Sequence, residues 1–202
     1  MKITSDNFSP VQVYMSVQKM DGKEVVRVCK DTAVKAVDQP TFAKLNKVMF
    51  KNGTIEVKVL SRLLKTAQKD NRGFIGIAFH INEDNSRFEG IYIRPTNGRA
   101  DDQIRRNHSV QYFSFPDYPF SRLRKESPEL YETHADMGLN EWTKLRIVVK
   151  DKQAKLFLGD NRQPTLLVND LKLGSAATGA IGLWVDVGTE GFFKDLHVYL
   201  GS

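Results

Sequence analysis

Several things are scarce in this 202-residue chain, and each absence excludes a class of protein. Cys29 is its single cysteine, so no disulfide forms within the chain and no thiol-rich zinc site of the usual kind can be built. No segment approaches the roughly 18 consecutive apolar residues that a membrane-spanning helix needs. The opening MKITSDNFSPVQVYM lacks the basic start and apolar run of an export signal, so the chain reads as soluble, and exported only if a signal has been removed. Low-complexity tracts, fixed-period repeats and Pro/Gly/Ser linkers are missing too, so one domain spanning 1–202 is expected. The four histidines, at 80, 108, 134 and 197, have no paired helical spacing, and no twelve-residue calcium loop occurs, so no metal and no cofactor are expected. Asp186 or Asp195 with backbone carbonyls would be the donors if calcium were bound.

What is present is alternation. The runs VQVYMSVQ, KEVVRVC, TIEVKVL, GFIGIAFHI, RFEGIYIR, SVQYFSF, TKLRIVVK, AKLFLG, TLLV, AIGLWVDV and FFKDLHVYL read as about eleven short strands. Turn-formers separate them, among them Asp21-Gly22 and Asn52-Gly53, whose chemistry suits tight hairpins. Helical spacing is weak, around SRLLKTAQKD and SRLRKESPELYETH, and Pro128 limits the second to short turns. An all-β, two-sheet antiparallel sandwich of jelly-roll type follows. Period two assigns Ile75, Ile77, Phe79, Ile91, Ile93, Leu145, Ile147, Val149, Ile181 and Leu183 to its core.

The opposite faces of those strands combine small residues (Gly76, Ala78, Gly90, Gly182) with aromatic and ionisable ones. Small residues lower a floor, so the expectation is a groove where a sugar stacks on Trp184 or Tyr92 while His80, Arg94, Glu56, His108, Gln111 and Asp186 contact its polar groups. Between two strands lies GRADDQIRRNHS, long enough to be a functional loop, with Arg105 and Arg106 at the groove rim. The next segment, SFPDYPFSRLRKE, adds Tyr118 and Arg122, an aromatic face beside a guanidinium fork suited to carboxylate or sulfate. The alternative is that neighbouring acids pair with these arginines and merely hold the loops. With 30 Lys and Arg against 24 Asp and Glu, the net charge of +6 favours an anionic partner. Local balancing by acids and the lack of a recognisable module argue against nucleic acid.

The segments FKNGTIEVKV, GFIGIAFHI, RFEGIYIRP, NEWTKLRIVVKDKQAKLFLGD and TGAIGLWVDVGTEGFFKDLHV resemble the concanavalin A-like lectin and glucanase superfamily. Within it they look closest to bacterial laminin-G-like domains and to domains named after 3-keto-disaccharide hydrolases. The resemblance covers about 48 to 200 and implies a carbohydrate partner, with either glycosidic cleavage or recognition of a glycan or protein. Glucanases of that fold place three carboxylates on one strand as Glu-x-Asp-x-x-Glu, and no such string occurs here. Glu56 and Asp186 would have to be brought within about 5 Å to act by retention, or about 6.5 to 9.5 Å by inversion. For elimination, Arg94 with a His80, His108, Tyr92 or Tyr112 base would supply the right residue types.

Overall fold

A computed structural model describes residues 4–201. Among these residues the chain forms fourteen strands and little helix. In chain order the first seven strands are β1 (Phe8–Val11), β2 (Val13–Met20), β3 (Lys23–Lys30), β4 (Phe42–Leu45), β5 (Gly53–Leu63), β6 (Ile75–Ile81) and β7 (Phe88–Ile93). The others are β8 (Val110–Phe115), β9 (Glu132–Thr133), β10 (Thr143–Lys150), β11 (Gln153–Leu158), β12 (Leu166–Val168), β13 (Ala180–Val185) and β14 (Thr189–Leu200). Three short helices, α1 (Pro95–Gly98), α2 (Gln103–Asn107) and α3 (Phe120–Glu126), lie in the connections flanking β8.

The strands make two antiparallel seven-stranded sheets, the first ordered β1-β4-β13-β6-β7-β8-β9 and the second β12-β11-β10-β5-β14-β3-β2. This is the expected β-sandwich. Between the sheets lies one core, and all ten residues assigned to it by alternation are there. Period two succeeds because a strand sends successive side chains to opposite faces, and only one face can meet the other sheet.

The run VQVYMSVQ is not one strand. Gln12 adopts a left-handed φ of 50°, so β1 pairs with β4 in the first sheet while β2 pairs with β3 in the second. Asp21 and Gly22, with φ of 51° and 74°, close the β2–β3 hairpin as their chemistry suggests. Asn52-Gly53 does not make a hairpin, because the strands on either side of it, β4 and β5, belong to different sheets. The long loop expected after Arg94 is ordered by α1 and α2, the second capped by Asp102, which accepts from the Arg105 backbone N–H at 3.0 Å.

Candidate functional site

The outer face of the first sheet carries the residues expected to line a groove, and it is filled. Phe42, Phe88, Phe113, Tyr92 and Trp184 pack there as a second apolar cluster beneath Phe74, Val11 and Phe115. Their rings contact one another in series: Phe42–Phe88 at 5.3 Å, Phe88–Phe113 at 5.5 Å and Tyr92–Trp184 at 4.8 Å between centroids. The glycines make room for these rings rather than for a ligand. A Cβ on Gly90 would lie 2.4 Å from the Phe113 ring, and one on Gly182 would lie 2.8 Å from Phe42.

Segment 31–41 lies against this face and is tied to it. The Trp184 indole donates to the Gln39 carbonyl at 2.9 Å, and the Thr41 hydroxyl donates to the Val185 carbonyl at 2.6 Å. Asp186, just after β13, accepts from Lys30 at 2.5 Å and from the Asp38 backbone N–H at 2.9 Å. Asp38 accepts in turn from the Phe120 N–H at 2.7 Å, which joins this segment to the start of α3. Trp184 is only 1% exposed, so neither it nor Tyr92 is a stacking platform, and the expectation of an open aromatic groove is corrected. Alternation identifies a face but not what later segments lay over it.

At the end of the aromatic cluster a pocket of about 320 Å³ remains open, lined by Tyr92, Arg94, Arg105, His108 and Asp186 together with Asp38, Asp70, Arg72, Phe74, Phe120 and Arg124. Arg94 forms its floor. The guanidinium donates to the Tyr92 hydroxyl at 2.7 Å, the His108 carbonyl at 3.0 Å and the Gln111 side-chain oxygen at 3.4 Å. It lies 4.8 Å from the Tyr92 ring centroid and 5.4 Å from that of Phe120. Burial pushes the Tyr92 hydroxyl well above its usual pKa despite Arg94.

Charge in this pocket is unbalanced in a specific way. Arg124 pairs with Glu132 at 2.8 Å. Among the described residues Arg72, Arg94 and Arg105 have no carboxylate within ion-pair distance, and bond instead to carbonyls, amides or hydroxyls. The pKa of Arg72 is lowered, first by burial and then by Arg105, with Asp70 opposing the shift and Arg94 adding to it, so these cations lie close enough to repel. Asp38, 3% exposed, is raised from the usual 3.8 to about 7, first by burial and further by Asp186, against the opposing Phe120 N–H, Arg94 and Lys30.

The remaining expected site residues lie elsewhere, each for a physical reason. His80 is 2% exposed, sits at a left-handed φ of 54°, and has both ring nitrogens engaged, by Glu89 at 2.7 Å and the Lys51 carbonyl at 2.8 Å. Glu89 also accepts from Tyr112 at 2.7 Å, so His80 and Tyr112 belong to a satisfied interior network, and the hollow that His80 borders, with Asn82 and Arg87, is apart from Arg94. Gln111 is buried behind Arg94, donating to the Tyr112 carbonyl at 2.8 Å. Glu56 lies on β5 in the second sheet, across the core from Asp186, so the two cannot flank one glycosidic bond. His108 Nδ1 lies 2.7 Å from Glu132, although off the alignment a hydrogen bond requires.

Of the rim residues, Arg105 alone lines the pocket. Arg106 has its Nε buried without a hydrogen-bond partner. Arg122 stacks on Tyr118 at 4.4 Å and pairs with Glu126 at 2.9 Å, a local arrangement that holds α3. No group of three or more His, Cys, Asp or Glu side chains among the described residues is arranged to hold a metal. The two candidate calcium donors face ammonium groups, Asp186 with Lys30 and Asp195 with Lys23 and Lys58. No described helix is long and apolar enough to cross a membrane. Phe120 belongs to the segment that the sequence marks for aromatics beside arginines, whereas Arg72 and Asp38 escaped sequence reading, because nothing local marked them.

No family model and no curated protein matches the sequence. Among solved structures, a Bacillus subtilis protein of unknown function with a galectin-like fold is similar at a TM-score of 0.56 and 9% identity, over 98% of this chain and 92% of that one. A candidate glycosyl hydrolase from Parabacteroides distasonis is similar at 0.55 and 14% identity, over 95% and 87%. A carbohydrate binding module from Bacillus subtilis is similar at 0.53 and 9% identity, over 93% and 94%. The fold is therefore a galectin-like jelly-roll sandwich, as the resemblance to lectins and glucanases implied at that level. At these identities the likeness extends to architecture alone.

Proposed function

We propose that this protein recognises a carbohydrate bearing a carboxylate, in the pocket floored by Arg94, and does so without cleaving it. The observation that carries this reading is the convergence of Arg72, Arg94 and Arg105 on one pocket without a carboxylate paired to any of them. Guanidinium forks suit a planar carboxylate, and Phe74 and Phe120 offer apolar faces beside them. A volume of about 320 Å³ sits at the small end of ligand sites and fits one or two sugar rings. Fold neighbours that include a carbohydrate binding module are consistent with this. A narrower kinship with bacterial laminin-G-like and keto-disaccharide hydrolase-like domains is part of the same proposal and lends it no separate support.

Recognition is favoured over hydrolysis by what the carboxylates do. Asp186 is committed to Lys30 and two backbone N–H groups, and Asp38 to the Phe120 N–H. Both tie segment 31–41 in place, so Asp70 is the one further carboxylate lining the pocket and no pair of uncommitted acids flanks a bound ring. The test is calorimetry with oligogalacturonate and its methyl-esterified counterpart, alongside reducing-end release. Binding should require the free carboxylate and be lost in an Arg72→Gln/Arg105→Gln variant that still melts cooperatively. Equal binding of the ester would refute the reading, and accumulation of reducing ends would replace recognition with catalysis.

A further inference from the structure

The outer face of the second sheet carries a charge pattern that the arginine pocket does not use. In the register of β10, β5 and β14, Lys144 lies opposite Lys58, and Lys58 lies opposite Lys194. Three ammonium-bearing side chains thus stand in a row across adjacent strands, about 4.8 Å apart per strand. Like charges directly opposite destabilise a sheet. A bulge sharpens the arrangement: Asp195 takes a φ of 53°, the register shifts between Lys194 and His197, and the side chain of Asp195 reaches Lys58 at 3.2 Å and Lys23 at 3.4 Å.

Partners for the row are unequal. Among the described residues Lys144 pairs only with Asp160, at 3.6 Å, whose side chain is 96% exposed, a pair worth little in water. Lys194 has no carboxylate partner among the described residues. It is 8% exposed, and its ammonium rests 3.7 Å from the centroid of the Trp142 ring. A hollow of about 690 Å³ opens over Lys58, Lys144, Lys194 and Trp142. It adjoins a second of about 790 Å³ that shares Trp142, Lys144 and Gly159. The two form a continuous trough with an indole at its middle.

We infer that this trough is a second binding site, for a sulfate or phosphate ester carried on a sugar chain, with the ester oxygens on the lysine row and a neighbouring sugar against Trp142. Partly desolvated ammonium groups make strong charge-assisted bonds to such oxygens. Two adjoining hollows of this volume fit a chain rather than a free ion. Glu56, Asp160 and Asp195 line the same trough, so a continuous phosphodiester backbone meets repulsion where a single ester group does not. The site lies across the core from Arg94 and does not depend on the function proposed there.

The experiment titrates the full protein with a sulfated dextran oligosaccharide, with unsulfated dextran of the same length, and with sodium sulfate at matched ionic strength. It is read by calorimetry and by tryptophan fluorescence, with the signal of Trp142 separated from that of Trp184 by a Trp142→Phe control. The sulfated chain should bind saturably, at least about tenfold more tightly than either control, and lose at least about tenfold in Lys194→Met. Methionine keeps the apolar stem against the indole. Lys58→Gln, at a more exposed position, should show the same loss and carries the test if Lys194→Met fails to fold. Arg72→Gln/Arg105→Gln should bind the sulfated chain unchanged, which separates this site from the arginine pocket. The inference is overturned if unsulfated dextran binds equally, if sodium sulfate alone binds as tightly, if single-stranded DNA binds as tightly, or if neither lysine variant loses affinity.

Discussion

Asp38 makes the stability of this fold depend on pH in an unusual direction. Its folded-state pKa is raised from 3.8 to about 7, chiefly by burial, so between those values the folded protein holds a proton that the unfolded chain has released. Stability attributable to this residue is therefore complete below about pH 4 and is lost as pH rises to about 7. The whole shift corresponds to about 4 kcal/mol at about 1.4 kcal/mol per tenfold change. About 3 kcal/mol of it falls between pH 5 and pH 9. Asp38→Asn removes the titration but keeps a carbonyl oxygen to accept from the Phe120 N–H, now 2.7 Å from the carboxylate. Relative to the parent, the variant should gain about 3 kcal/mol on moving from pH 5 to pH 9, seen as roughly 6–12 °C in the difference between their melting temperatures. Thermal melts of both proteins across that range provide the assay. A difference that stays constant with pH would refute the assignment of a buried proton to Asp38, and a growing deficit of the variant at pH 9 would reverse its sign.

Other outcomes follow from the same geometry. Binding of oligogalacturonate should strengthen as pH falls from 8 to 6, because protonating Asp38 removes a negative charge from the pocket, and calorimetry should find this dependence flattened in Asp38→Asn. Arg94→Lys should lower stability by about 2–4 kcal/mol, since lysine lacks the planar fork whose two terminal nitrogens separately reach the Tyr92 hydroxyl and the His108 carbonyl; an unchanged melting temperature would remove Arg94 from the scaffold. Trp184→Ala should cost about 3–5 kcal/mol by opening a cavity in the aromatic cluster. Oligogalacturonate affinity should persist wherever that variant remains folded, and its selective loss in calorimetry would restore the ring as a platform. Gly90→Ala should destabilise by about 1–3 kcal/mol in chemical denaturation, because its Cβ would meet the Phe113 ring at 2.4 Å.

Local chemistry determined much of this protein. Alternation alone picked out Ile75, Ile91, Ile147, Ile181 and their companions as the core, since a strand has two faces and an apolar set can bury only one of them. Asp21-Gly22 determined its hairpin, because left-handed φ values are cheapest for those residue types. The position of Arg94, beside Tyr92 at the end of β7 and before a proline, was equally legible. What tertiary structure decided was which faces meet water. The strands of the first sheet read as a groove floor until segment 31–41 and the start of α3, remote in sequence, met over them through Asp38 and Asp186. Glu56 and Asp186 read as one set until strand order placed them on opposite sheets. Gln12 divided a single alternating run between two sheets, and the lysine row exists only because β10, β5 and β14 are neighbours in register. Periodicity is a property of one strand, whereas coverage, strand order and the convergence of like charges are set by contacts between segments far apart in the chain, which no local pattern encodes.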